Sequence, residues 1–564
     1  MKISIKNLGP LEDAELELGD ITVLLGPPNA GKSYTLKSVY TQLMPLDAVA
    51  RERLFVKTVR ELELLDHIET FIRRTVPRCL ITVMAVYDYI NQDDLNEILG
   101  LLKEKFGLDE ISIAEESDGL IIALKVTESI DIGVMVDLFR ENFSSLTQEI
   151  LPIRADTKIE IPELSVPKLE TFFVEVLKTP HTWETMSSDE QLGISSVLHV
   201  SSGMGSNQNF DITISVETKI PFDSPLWEQL RWYVDRKLPL NKEDASVDSI
   251  VNVVIQKYPR LRLPLDLSLR SMFGKLFRGE MNFLSYLMKE IGEVLKSAYE
   301  DALNLNSVLI VPFGRSPFVY QLDSIANEPY LWDRFIAMYK NNIVFYSYLH
   351  HLVRGRKILL ENEPNEKLVE LFNSVLQGKL VFDTTVKKLR YQKWGSADVP
   401  ITLASALAGE IAGILLPLLD IPPSSYLIIE EPEAQLHYSA QIMMALTLAA
   451  LSTTFNHKII FSTHSDILAI TLAYLKELAY TKEDIGTLIN RLLEAQGIAL
   501  ENDRIKVLAE AVSKAKELDI RFYYYEPKTD GMVRVIERPP RDILMDVPGI
   551  TMVTDILASW AINL

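Results

Sequence analysis

One stretch of eight residues constrains this chain more than any other. Gly26-Pro27-Pro28-Asn29-Ala30-Gly31-Lys32-Ser33 fits the pattern G-x-x-x-x-G-K-[ST]. The run before it, Ile21-Thr22-Val23-Leu24-Leu25, is short, apolar and β-branched, as a buried strand should be. The run after it, Tyr34 to Tyr40, can continue as a helix. Strand, glycine loop and helix are the setting in which this motif holds phosphates. Backbone N–H groups and the positive end of the helix dipole supply the cradle. Lys32 is placed to reach the β- and γ-phosphates, and the Ser33 hydroxyl to reach Mg²⁺. Gly26, Pro27, Asn29, Ala30, Gly31, Lys32, Ser33 and Tyr34 are therefore the candidate nucleotide-binding residues.

At 564 residues the chain is too long for one ordinary core, so two to four structural units are expected, roughly one per 150 residues. Hydrophobic content of 47% with 24% charged residues is that of a globular protein. The net charge of −21 argues against wholesale binding to nucleic acid or anionic lipid, though it leaves room for a local basic groove. Cys79 is the single cysteine, which excludes an internal disulfide and a cysteine zinc cluster and suits a cytoplasmic protein. The first 20 residues lack the apolar core of a signal peptide. The apolar stretch Leu403 to Leu419 carries Glu410 and Pro417, so it reads as a buried helix rather than a membrane span.

Period-two alternation at Ile3 and Ile5, then at Ala14, Leu16 and Leu18, predicts two strands leading to the nucleotide strand. Residues 46–105 read as mostly helical, Ile111 to Val126 as a hairpin about Ser117-Asp118-Gly119, and Asp131 to Ile150 as a helix. Ile194 to Val200 and Phe210 to Val216 read as strands joined by a Gly/Ser/Asn loop. Leu265 to Leu303 has a long amphipathic helical pattern, and Val308 to Val311 is a buried strand. Leu380 to Phe382 and Val386 to Tyr391 resemble strands, and Tyr523 to Ile536 a hairpin turning at Lys528 to Gly531. The expected division is 1–45 and 305–564 for the nucleotide-binding head, with 46–304 as a large mixed α/β insertion.

A second half of the site lies some 400 residues downstream. Tyr426-Leu427-Ile428-Ile429 is an apolar strand ending in Glu430-Glu431-Pro432. In nucleotide-binding α/β sheets the C-terminal strand ends line the ligand crevice. Glu430 can hold Mg²⁺ through water, and Glu431 can orient and activate an attacking water. Lys458-Ile459-Ile460-Phe461-Ser462 is another such strand, and His464 at its tip can hydrogen-bond a γ-phosphate and hold that water.

The pieces IKNLGPLEDAELELGDITVLLGPPNAGKS, LIIEEPEAQLH and IIFSTHSD resemble the ABC-class ATPase heads of structural-maintenance-of-chromosomes, RecF-like and OLD-type proteins, and the OLD-like members most. The resemblance covers the first 35 residues or so and much of the chain from about 305 onward. It implies an α/β P-loop NTPase fold of the ABC-head type, ATP and Mg²⁺ as cofactors, and ATP hydrolysis. It also implies a Walker A motif from Gly26 to Ser33, Glu430 as Walker B and metal ligand with Ser33, Glu431 as catalytic base, a D-loop from Glu433 to His437, and His464 as switch histidine. Glu430 stands where transporter relatives carry aspartate. The signature serine is matched by Ser405, less well supported by Gly409, and the same residues also fit a plain helix start. In Val311-Pro312-Phe313-Gly314-Arg315-Ser316, which resembles a P-x-x-R-S segment of OLD-like ATPases, Arg315 can serve the nucleotide or a domain contact, with a structural salt bridge the favoured expectation.

The resemblance further implies a homodimer that closes head-to-head on ATP. No D-x-D follows His464, so a Toprim nuclease is not expected. The first reading of the output is action on DNA, in repair, maintenance or defence, and the alternative is a nucleotide-gated protein switch without DNA binding. Basic clusters at Arg73/Arg74/Arg78, Arg270/Lys275/Arg278, Arg354/Arg356/Lys357 and Lys387/Lys388/Arg390/Lys393, the last with Tyr391 and Trp394, suit DNA. The acidic balance and the large insertion suit a nucleotide-gated switch acting on a protein effector. A transporter subunit fits worse, because the insertion is large and no coupling membrane segment is present.

Overall fold

The computed structural model describes residues 1–160, 181–228, 292–477 and 509–546, apart from 62–66, 69, 88–91, 155, 190–192, 205–208, 294–295, 298, 301–302, 328–338, 340–341, 362–363, 384, 386–387, 394–396 and 511. The helix expected over Leu265 to Leu303 lies almost wholly outside the described residues. By internal packing the chain forms two units, one of residues 1–51, 143–165 and 295–564, the other of 52–142 and 166–294. The second unit is thus entered twice, with residues 143–165 returning to the first between visits.

Seventeen strands are described. They are β1 Lys2–Leu8, β2 Leu11–Glu17, β3 Ile21–Leu25, β4 Glu110–Glu116, β5 Gly119–Asp131, β6 Lys158–Glu160, β7 His181–Asp189, β8 Ile194–Met204, β9 Asn209–Pro221, β10 Val308–Val311, β11 Gly378–Asp383, β12 Lys388–Lys393, β13 Asp398–Pro400, β14 Tyr426–Glu430, β15 Lys458–Ser462, β16 Ile520–Pro527 and β17 Val533–Arg538.

The first unit is built on a nine-stranded sheet in the order β10-β14-β15-β3-β16-β17-β2-β1-β6. Strands β10, β14, β15, β3 and β16 run parallel, and β17, β2, β1 and β6 add an antiparallel or mixed wing. The sequences explain the split. Strand β3 is ITVLL with every residue buried, and β14 and β15 are nearly as apolar, as strands covered on both faces must be. Strand β2 instead alternates buried and exposed positions, so one of its faces meets solvent. Ile21, Val23, Leu427, Ile429, Ile459 and Phe461 join one core cluster with the helices Ala406–Leu419, Tyr438–Phe455 and Asp466–Glu477. Helix α1, Lys32–Leu43, packs against β14 and β15 through residues outside that cluster and so covers the opposite face. A small sheet, β11-β12-β13, accompanies this unit.

The second unit contains an antiparallel sheet in the order β4-β5-β9-β8-β7. Phe210, Ile212, Ile214 and Val216 alternate inward along β9. The β8 strand runs on to Met204, further than its Ser- and Gly-rich composition predicts, because Ser201 and Ser202 pair with Thr213 and Ile212 across the sheet. Cross-strand hydrogen bonding here overrides local propensity.

Candidate active site

The site follows from sheet register. Glu430 on β14 lies opposite Ser462 on β15, and Ser462 lies opposite Leu24 on β3. Three strands therefore end side by side, and the next residues of each are the phosphate loop, Glu431 and Thr463-His464. Two backbone bonds continue the ladder past the strand ends: Glu431 N–H donates to Ser462 O at 3.1 Å and Thr463 N–H to Leu24 O at 3.0 Å.

The loop itself needs its glycines. Gly26 has φ +138°, and a Cβ there would lie 2.9 Å from Tyr525 Cβ. Gly31 has φ +95° and directly precedes α1. Asn29 also adopts a left-handed backbone, at φ 62°. The first-turn N–H groups of α1 have no intrahelical acceptor and open the helix to an anion. Lys32 is 5% exposed, and its ammonium donates to Gly26 O at 2.6 Å and Pro27 O at 2.9 Å, inside the loop. Burial lowers its pKa to about 8, with Glu431 and Glu433 pulling the other way. Pro27 is half-buried, Ala30 is buried and Ser33 is exposed at the start of α1. Tyr34 turns its ring against the β1–β2 turn, where a Cβ on Gly9 would come within 2.5 Å of it. From β16, Tyr525 donates its hydroxyl to Thr35 Oγ1 at 2.7 Å, bracing α1.

The acidic tip is held in an unusual backbone state. Glu431 has φ 46°, a left-handed conformation uncommon for a residue with a side chain. Glu430 accepts the Phe313 N–H on Oε2 at 3.0 Å. His464 Nε2 stands 3.6 Å from Glu431 Oε1. Burial lowers the His464 pKa, Lys32 lowers it further, and Glu431 opposes them, so the ring is neutral at pH 7. The turn carrying His464 is set by Ser465, whose N–H donates to Thr463 Oγ1 and whose own Oγ accepts from Leu468 N–H to cap the next helix. Phosphate loop, Glu430, Glu431 and His464 are thus brought together.

Two groups were harder to read from sequence. Glu433 accepts the His464 N–H at 2.7 Å, while its Oε2 is buried without a hydrogen-bond partner. Burial raises its pKa. Glu410 forms a buried ion pair with Arg315, Nε to Oε2 at 3.0 Å, which is the structural salt bridge expected of Arg315. A lone carboxylate in an otherwise apolar helix was its only signal. Ser405 is exposed at the N-cap of Ala406–Leu419 without a side-chain capping bond, and the same helix is tied to the acidic tip by Glu410 and Arg315. Gly409 does not share its exposure. It is buried where a Cβ would strike Tyr320 Oη at 2.6 Å, so its smallness serves packing.

The donor set fits a magnesium nucleotide. Mg²⁺ ordinarily takes one or two protein oxygens and completes its shell with phosphate and water. A Ser33 hydroxyl and a Glu430 carboxylate supply that much. Residues 420–469, which span both Glu430-Glu431 and His464, match the AAA ATPase domain family.

The match covers 50 of the chain's 564 residues, and the phosphate loop lies outside it. The fold class is α/β, with the phosphate loop on a nine-stranded mixed sheet and a large mixed α/β second unit. A comparison with curated proteins finds no match. Among solved structures the chain is similar to an SMC head bound to the C-winged helix domain of ScpA, at 10% identity and TM-score 0.29, covering 97% of this chain and 99% of that one. It is similar also to the SMC head domain from Thermotoga maritima, at 8% identity and TM-score 0.27, covering 95% and 98%. A third is the Smc head with an extended coiled coil bound to the C-terminal domain of ScpA from Pyrococcus furiosus, at 9% and 0.27, covering 98% of each chain. Likeness at this level transfers no residue and no partner.

The basic clusters are largely engaged within the chain. Arg356 is buried against Asp323 and the Phe382 ring, Arg354 pairs with Asp420, and Lys357 with Glu361. Arg390 pairs with Asp398, and Tyr391 is buried with its hydroxyl on Leu376 O. Arg270, Lys275, Arg278, Lys387 and Trp394 lie outside the described residues. No helix among the described residues is long and apolar enough to cross a membrane.

Proposed function

We propose that this protein is a cytoplasmic ATPase whose ATP-bound heads close as a homodimer and open on hydrolysis. The observation that carries the reading is the register-driven meeting of Lys32, Glu431 and His464 from three strands whose sequence positions span more than 400 residues. Lys32 and the free N–H groups of α1 bind the β- and γ-phosphates. Ser33 and Glu430 would hold Mg²⁺, which would supply charge neutralisation to the phosphates. Glu431 accepts a proton from the attacking water. Neutral His464 holds that water or the γ-phosphate through Nε2. The products are ADP and phosphate, and no nuclease step belongs to the cycle.

Closure as a dimer is supported by apolar side chains left open beside the site. Leu403 is 77% exposed two residues before Ser405, Tyr438 61% just after the D-loop, and Phe313 54% next to Glu430. ATP that touches both heads favours the closed state over the open one, which is what shifts such an equilibrium. Ser405 is the residue offered to the facing γ-phosphate.

For the output, the internal pairing of Arg354, Arg356 and Arg390 and the burial of Tyr391 favour a protein effector over DNA. The test compares wild type, Lys32→Ala and Glu431→Gln by ATPase rate and light scattering. Loss of nucleotide binding in Lys32→Ala, and an ATP-stabilised dimer in Glu431→Gln, are expected. Normal turnover in Glu431→Gln refutes the assignment of the base.

A further inference from the structure

We propose that Arg315 is a positioning residue for hydrolysis, clamping both peptide groups that flank Glu431 and so fixing the direction of its carboxylate. The inference rests on the function proposed above. Arg315 is 0% exposed. Its Nη1 donates to Glu430 O at 2.9 Å and to Pro312 O at 3.3 Å, and its Nη2 donates to Glu431 O at 3.1 Å. Glu430 O belongs to the peptide that defines φ of Glu431, and Glu431 O to the peptide that defines ψ. One rigid guanidinium therefore holds both torsions of a residue kept at φ 46°. A strained backbone of this kind persists only where its surroundings over-determine it.

The clamp is itself anchored. Arg315 Nε pairs with Glu410 Oε2 at 3.0 Å and donates to Glu410 O at 3.3 Å. Ser316 Oγ hydrogen-bonds the other Glu410 oxygen. The aliphatic stem lies against Gly413, where a Cβ would come within 2.8 Å of Arg315 Cγ. Glu410 sits one turn into the helix that begins at Ser405, so this ion pair ties that helix to the acidic tip. The Phe313 N–H on Glu430 Oε2, two residues from Arg315, steadies the neighbouring carboxylate. Lysine is no substitute, because its single ammonium cannot span two carbonyls and a carboxylate in one plane.

The experiment measures ATP affinity, kcat and thermal midpoint for wild type, Arg315→Lys and Glu410→Gln. Glu410→Gln leaves the guanidinium in place and strips its counter-charge. A loosened Glu431 in an intact phosphate loop predicts ATP affinity within about threefold of wild type and a kcat lowered about 10- to 100-fold in Arg315→Lys. For Glu410→Gln the expected loss of kcat is about 3- to 10-fold. Unchanged kcat in folded Arg315→Lys overturns the inference, as does loss of affinity and kcat in equal proportion. Should Arg315→Lys fail to fold, unchanged kcat in Glu410→Gln overturns it. Failure of the function itself is told apart with Arg315 intact: wild type would not turn over ATP, or Glu431→Gln would turn it over normally.

Discussion

Acid should loosen the two strands that carry Glu431 and His464, and it should do so through one histidine. His457 precedes β15 and is 3% exposed. Its Nδ1 accepts the Ser425 N–H at 3.3 Å at the start of β14, and its ring stacks on Phe455. Burial lowers its pKa from 6.5 to about 4. The folded protein therefore binds fewer protons than the unfolded chain between those values. Stability from this group is complete above pH 6.5 and is lost as pH falls toward 4. The proton-linkage relation gives a loss of about 2 kcal/mol by pH 5 and about 3 kcal/mol by pH 4. Other groups also titrate there, so the measurement is a difference. Urea unfolding of wild type and His457→Gln, followed by circular dichroism at pH 7, 6 and 5, isolates the histidine. Glutamine is neutral throughout and its oxygen can still accept the Ser425 N–H. The advantage of wild type over the variant should shrink by about 2 kcal/mol between pH 7 and pH 5. An advantage that stays constant over that range refutes the reasoning, because it means His457 titrates alike in the folded and unfolded chain.

Further expectations concern the loop, the packing and the partner. Gly26→Val should abolish ATP binding in a calorimetric titration while leaving the fold, since the added side chain meets Tyr525 at a backbone angle that disfavours it. Gly355→Val should destabilise by several kcal/mol in urea unfolding, because a Cβ there would lie 1.7 Å from Leu416 O in the neighbouring helix. Tyr391→Phe should cost about 1 kcal/mol of stability through the lost bond to Leu376 O and leave ATPase rate unchanged. Glu431→Gln with ATP and Mg²⁺ should bind neither single- nor double-stranded DNA at low salt. Binding that weakens steeply with salt would instead restore the nucleic-acid reading.

Local rules reached some parts of this molecule and missed others. Strands β3, β14 and β15 were legible because a strand covered on both faces must be apolar throughout, and each ends in residues with evident chemistry. The β16–β17 hairpin was legible from its turn, where Lys528 N–H bonds to Met532 O. Strand β7 was not, because HTWETMSSD lies at a sheet edge and lacks a continuous apolar face. Strand β6 is three residues paired, among the described residues, with β1 alone, so no periodicity could announce it. Gly409 reads two ways for a related reason. A small residue near a helix start fits an anion site and a tight helix contact equally, and only the position of Tyr320 decides between them.

The same limit explains why the acidic tip needed the structure. Glu430 and Glu431 are adjacent in sequence, yet their surroundings diverge within one residue. The first ends a strand and accepts a backbone N–H from Phe313. The second turns left-handed and faces His464. What separates them is Arg315, which holds the carbonyls on both sides of Glu431 from a strand end 115 residues upstream of Glu430. Sequence can state that two carboxylates follow an apolar strand. It cannot state which one is aimed, because aim is a property of the two flanking peptide planes, and here those planes are held by a buried charge in the loop that follows β10. A carboxylate positioned in this way can be redirected by changes that never touch the nucleotide, so the ion pair between Arg315 and Glu410 is where the chemistry of the site depends on the packing of the helix beginning at Ser405.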